Sequence, residues 1–171
     1  LAPFAAGPPV VRMVEVGVAS GLTSAWLLEQ FPTLHLTMVD RWRLCPGQAF
    51  TRKSQATYDD ARRAALERTG FAANRRTVLH TESFNAAALT TRASQDLVFI
   101  DAGHDYHSVA ADIGAWQDRV RPGGVLCGHD IDSPKDLRGV WGVRRAVEEF
   151  SYWAGLPFEV REHCWIMRAP E

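Results

Sequence analysis

Apolar and polar positions along the chain switch repeatedly between two periods. Compact apolar runs occur at Val10–Val16, Leu34–Val39, Thr77–Thr81, Asp96–Asp101 and Val125–Gly128. Such short, near-continuous runs read as strands of a buried parallel sheet. Between them, apolar residues recur every three or four positions, the helical period. One such stretch puts Leu22, Ala25, Trp26 and Leu28 on a single side. Another runs from about Ser54 to Thr69 with Tyr58, Ala61 and Ala65 inward, Arg62 and Arg63 outward, and Gly70 as its C-cap. A short helix is expected over Phe84–Leu89, and a longer one with Val109, Ile113, Trp116 and Val120 inward, closed by Arg121-Pro122-Gly123-Gly124. After a polar connector at 132–138, the stretch Gly139–Tyr152 reads as a helix with Val140, Val143, Val147 and Phe150 inward. Two last runs, Phe158–Arg161 and Trp165–Arg168, are separated only by Glu162-His163-Cys164. That is too short for a crossover helix, so the pair must be antiparallel.

The alternation predicts an α/β fold: one three-layer, Rossmann-like domain over residues 1–171, with seven mostly parallel strands and a C-terminal antiparallel hairpin. Residues 1–9, with three prolines and a glycine, read as an irregular lead-in with little room for an N-terminal lid. Composition adds exclusions. Nineteen Lys+Arg against twenty Asp+Glu leave no bulk charge to draw the chain to nucleic acid or membrane. Arg52, Lys53, Arg62, Arg63, Arg68, Arg75 and Arg76 are interspersed with acids and lack an aromatic stripe, so they read as a solvated face. Cys45, Cys127 and Cys164 are odd in number and widely spaced, which suits reduced thiols in a cytoplasmic protein. No run is long and apolar enough to span a membrane, and no signal peptide is visible.

Candidate chemistry begins where the first strand stops, at Glu15-Val16-Gly17-Val18-Ala19-Ser20-Gly21. Gly17 and Gly21 permit a tight turn with close backbone approach, and Ala19 keeps the loop small. A glycine loop alone is weak evidence. Asp40, 19 residues beyond Gly21 at the end of the second strand, sharpens it, because a carboxylate there can accept both hydrogen bonds of a ribose diol. A dinucleotide would bring its pyrophosphate to the loop, where Glu15 is unfavourable. S-adenosylmethionine brings an ammonium and a sulfonium, for which nearby acids are favourable. The spacing also lacks the third glycine of the dinucleotide fingerprint, so S-adenosylmethionine is the expected ligand.

Trp42, in the loop after Asp40, either stacks on an adenine or covers the sheet edge. Glu82 and Ser83 follow the third strand, where they would meet the adenine amine; Ser83 also suits the N-cap of the next helix. The fourth strand ends in Asp101-Ala102-Gly103-His104, and the fifth delivers His129-Asp130. Neighbouring strand ends should therefore bring Asp101, His104, His129 and Asp130 together beside the glycine loop.

Four motifs now carry a resemblance: Glu15-Val-Gly17 to Gly21; Val39-Asp40-Arg-Trp42; Phe99-Ile-Asp101-Ala-Gly-His104-Asp-Tyr106 with Asp112 and Trp116; and Pro122-Gly-Gly-Val-Leu-Cys-Gly-His129-Asp130. From Val14 to Phe150 the chain resembles class I S-adenosylmethionine-dependent methyltransferases, specifically methyltransferase family 24. The resemblance implies strand order 3-2-1-4-5-7-6 with strand 7 antiparallel. It further implies a divalent metal on Asp101, His129 and Asp130, the positions of the magnesium ligands in related catechol and sugar O-methyltransferases. His129 stands where those enzymes carry a carboxylate, which favours manganese, zinc or iron over magnesium. His104 matches the position of a catalytic lysine.

The expected function is O-methylation of a hydroxyl on a small molecule. Glu15, Gly17, Ala19 and Gly21 would hold the methionine portion of the cofactor, Asp40 the ribose, and Trp42, Glu82 and Ser83 the adenine edge, with Asp101 a further cofactor contact. His104 would act as base with Asp101, or else only tie its loop to Asp130. Asp101, His129 and Asp130 would bind a metal or orient the acceptor. A homodimer is compatible with this reading. A non-catalytic S-adenosylmethionine-binding module and an NAD-dependent oxidoreductase are the alternatives.

Overall fold

The computed structural model describes residues 9–44 and 54–171. The lead-in, apart from Pro9, and the readings at Cys45, Arg52 and Lys53 lie outside them. The described residues form a seven-stranded sheet: β1 (Val11–Val16), β2 (Leu34–Asp40), β3 (Arg76–His80), β4 (Gln95–Ile100), β5 (Val120–Gly128), β6 (Phe158–Arg161) and β7 (Cys164–Arg168). Its order is β3-β2-β1-β4-β5-β7-β6. The first five strands run parallel, and β7 is antiparallel to both β5 and β6. This is the expected order, and the class is the expected α/β one.

Among the described residues, six α-helices accompany the sheet: α1 (Leu22–Gln30), α2 (Gln55–Arg68), α3 (Ser83–Leu89), α4 (Tyr106–Trp116), α5 (Pro134–Leu137) and α6 (Val143–Ala154). Strand alternation divides the core in two. Met13, Leu36 and Met38 pack with Leu28 and Ala65 under α1 and α2. Val14, Val16 and Val39 face the other way, onto Ile113, Trp116, Val143 and Val147 of α4 and α6. Glu15 has the parity of Met13, so its carboxyl is carried beneath α1. A side chain that the sequence offers to a ligand is thus directed into the scaffold.

Several element details differ from expectation. On α1 the buried pair is Ser24 and Leu28, while Leu22 and Trp26 are exposed, and Trp26 meets Phe31 edge-on. α2 starts on a Ser54–Thr57 capping box and ends with Thr69, not Gly70, as C-cap; Gly70 opens a 3-10 turn instead. α4 stops at Trp116, and Val120 starts β5 opposite Gln95, so it belongs to the sheet rather than to the helix. α6 begins at Val143, and Val140 lies outside it, 67% exposed. Ser83 is the first residue of α3 and makes no cap; Glu82 takes the cap position without a side-chain bond.

Candidate active site

The loop between β1 and α1 is built by close approach. Gly17 has φ +97°, and a Cβ there would lie 2.2 Å from the Asp101 carbonyl oxygen. Glycine is therefore required both by conformation and by space. The same contact makes the turns after β1 and β4 one surface. At Gly21 (φ +74°) a Cβ would meet the backbone of Ala65 on α2 at 2.8 Å. Between them Ala19 also has positive φ, 49°.

This conformation is held by the end of β2. Asp40 accepts a hydrogen bond from the Ala19 N–H on Oδ2 (2.8 Å) and from the Trp42 N–H on Oδ1 (2.7 Å). Trp42 returns one from Nε1 to the Ala19 carbonyl, 2.7 Å. The Trp42 indole is 1% exposed and packs in the core edge-on to His80, so it closes the sheet side and is not open for stacking. Each Asp40 oxygen retains a second lone pair. The loop and Asp40 together suit the expected ligand: glycine backbone for close approach, and unspent carboxylate acceptors for a diol.

Glu15 is 2% exposed and accepts a hydrogen bond from Ser24 Oγ, as its strand parity requires. Burial, reinforced by the charges of Asp101 and Asp40, pushes its carboxyl up to about 7 despite the Ser24 bond. Glu15 thus supports the loop from below rather than lying open beside it.

Beyond β4 and β5 the ionisable groups gather, with one substitution. His104 Nε2 lies 2.9 Å from Asp130 Oδ2 and 3.6 Å from Asp101 Oδ1. The carboxylates of Asp101 and Asp130 together hold the imidazole above the ordinary histidine value against the opposing effect of burial. The His104 ring stacks on Trp141 with centroids 4.1 Å apart, and its carbonyl accepts the Gly142 N–H at 2.9 Å. Asp130 reaches the cluster from a left-handed backbone, φ 65°, a conformation that Asp tolerates better than most residues.

Donor atoms of Asp101, His104 and Asp130 lie within 4.8 Å of one another, a set able to hold a metal ion. Two carboxylates and an imidazole fit a borderline divalent cation better than magnesium. The expected trio with His129 is corrected here, because His104 takes that place. The His129 N–H still donates to the Ile100 carbonyl, one step past the end of β5, before the chain turns at Asp130. Its Nδ1 comes only within 3.4 Å of Asp130, and its ring meets His163 edge-on.

At the expected adenine edge, Glu82 forms ion pairs with Arg41 (3.5 Å) and Arg43 (3.1 Å). Ser83 Oγ accepts from Trp116 Nε1 at 2.9 Å and is hydrogen-bonded to Asp112, a buried carboxyl raised to about 6 by desolvation. Ser83 thus joins α3 to α4. Trp141, an isolated aromatic in a stretch without periodicity, and the pairing of Glu82 leave no local signal in the sequence.

A family model described as a methyltransferase domain matches residues 14–131. No curated protein matches the chain. Among solved structures, a Corynebacterium glutamicum protein is similar at a TM-score of 0.65 and 16% identity, covering 93% of this chain and 72% of its own. The N-methyltransferase NodS from Bradyrhizobium japonicum is similar at 0.63 and 18%, covering 95% and 87%. An O-methyltransferase family protein from Burkholderia thailandensis is similar at 0.62 and 16%, covering 94% and 51%.

Proposed function

Because the chain belongs to this methyltransferase family, and so uses S-adenosylmethionine, we propose that it is an O-methyltransferase acting on a hydroxyl of a small molecule. One observation carries the choice. The Gly17 turn and the Asp101–His104 turn share a backbone contact, so the acid–imidazole cluster stands at the edge of the cofactor loop. A hydroxyl acceptor must lose its proton as it attacks, and these three side chains are what the site offers to take it.

S-adenosylmethionine, when bound, supplies the methyl group. Gly17, Ala19 and Gly21 approach it with backbone, and Asp40 holds the ribose with the lone pairs left after Ala19 and Trp42. With the cofactor bound, the acceptor O–CH3 bond would form as the S–CH3 bond breaks, the electron pair staying on sulfur, and the acceptor proton would pass to the Asp101–His104–Asp130 cluster, in which His104 Nε2 faces both carboxylates. Asp101 and Asp130 orient the imidazole and offset the charge it gains. A divalent cation held by Asp101, His104 and Asp130 would instead polarise the acceptor oxygen, with the imidazole as ligand.

Labelled S-adenosylmethionine offered to matched phenol, sugar-alcohol and amine panels tests the reading. Transfer to hydroxyls only, retained after exhaustive chelation, supports His104 as base. Loss on chelation with recovery in manganese supports the metal form. Transfer confined to the amines contradicts the O-methyltransferase reading.

A further inference from the structure

A cavity of about 510 Å³ lies beside the cluster, between the start of α4 and the α5–α6 segment, within the volume range of small-molecule sites. Tyr106, Val140 and Trp141 give it apolar walls. Trp141 is also the residue stacked on His104, so cavity and cluster share a wall.

Its polar groups are not equally available. Asp105 is spent on the Ser108 N–H and hydroxyl, 3.1 and 2.6 Å, at the start of α4. Asp136 is spent on the Val143 N–H (2.6 Å) and the Arg144 N–H at the start of α6. Both carboxylates thus face helix N-termini that offset their charge. The cavity's two guanidiniums are committed more loosely. Arg144 reaches Glu148 at 3.4 Å through one Nη, and Arg145 reaches Glu149 at 2.9 Å through Nε while lying over the Tyr106 ring. These are exposed pairs one helical turn apart, which contribute little and exchange readily. Glu148, the third acid of the lining, makes a single contact with Arg144, and a guanidinium has five N–H donors, so the free donors of the cavity are cationic.

We propose that the cavity is the acceptor subsite and that the methyl acceptor is a hydroxylated small molecule bearing a carboxylate. The carboxylate is held by Arg144 and Arg145, the body rests on Tyr106 and Val140, and the hydroxyl end lies towards Trp141, whose ring is covered by His104 and by the Lys135 ammonium. This deepens the O-methyltransferase reading and rests on it.

Calorimetry of the full chain with 3,4-dihydroxybenzoate and with 3,4-dihydroxybenzamide, each with and without S-adenosylhomocysteine, tests it. The two probes differ only in charge at the recognised group. The carboxylate is expected to bind tighter by about 10- to 100-fold, the usual worth of charged hydrogen bonds. The double variant Arg144→Gln/Arg145→Gln, checked for an unchanged melting temperature, should bring the ratio near one. Equal affinities, no binding of either probe, or a preference that survives the double variant overturns the subsite. Failure of S-adenosylhomocysteine to bind while the carboxylate preference persists sinks the methyl-transfer reading and leaves the anion subsite standing. The converse result does the opposite.

Discussion

The two halves of the site use polar groups in opposite ways. On the β1–β2 side, Asp40, Trp42, Glu15 and Ser24 all bond within the protein, and the loop they hold is closed by contacts too tight for any residue but glycine. On the β4–β5 side, Asp101, His104 and Asp130 are half-buried, and Arg144 and Arg145 lie in exposed pairs. The first half is a preformed cradle, and the second a set of groups left free to meet something else. A ligand common to a family suits a rigid cradle, whereas a ligand particular to one member suits adaptable side chains on loops.

Substitutions can break this contrast. The largest effect is expected for Gly17→Ala. A Cβ at 2.2 Å from the Asp101 carbonyl, on a backbone with φ +97°, forces the two turns apart. Strain and overpacking together should cost about 3–5 kcal/mol. Chemical denaturation measures that loss, and S-adenosylhomocysteine binding should vanish in any folded fraction. A variant as stable as the parent would show that the turns are not locked.

Asp40→Ala comes next. It removes the Ala19 and Trp42 tethers and the ribose acceptor together, and should cost roughly 2–4 kcal/mol of cofactor affinity by calorimetry. Unchanged affinity would place the ribose elsewhere.

Glu15→Gln is expected to stabilise, and only as pH rises. The folded carboxyl is raised to about 7 from 4.5. At low pH both states hold the proton and burial is harmless. Between about pH 4.5 and 7 the unfolded chain releases it first, so stability falls and then levels off. The whole effect is bounded near 3 kcal/mol. Melting curves from pH 5 to 8 should show the Gln variant gaining on the parent up to about pH 7 and holding that lead above it, and a gap constant over the whole range would contradict the burial of a protonated Glu15.

How much of this was legible in the sequence follows the same division. Strand parity and apolar runs specified the sheet, and the Gly17–Gly21 spacing specified a tight loop after β1, because backbone sterics leave few alternatives there. Misreadings arose where a local pattern met a tertiary contact. Val120 has helical spacing yet pairs with Gln95, and Ser83 suits a cap yet bonds Trp116. His129 adjoins Asp130 in sequence and its Nδ1 lies 3.4 Å from that carboxylate, but it is His104, held between Asp101 and Asp130, that completes the tight cluster. Trp141 carried no periodic signal at all, since its partner is a ring 37 positions away.

The central claim is that cofactor holding and proton removal belong to separate halves of one site. His104→Gln, assayed for turnover of a hydroxyl acceptor beside S-adenosylhomocysteine affinity, tests it most directly. Glutamine can keep a hydrogen bond to Asp130 but cannot take a proton. The account predicts a fall in kcat of about 10²–10⁴ with cofactor affinity within about threefold of the parent. Parental turnover, or a loss of affinity in step with turnover, would contradict it.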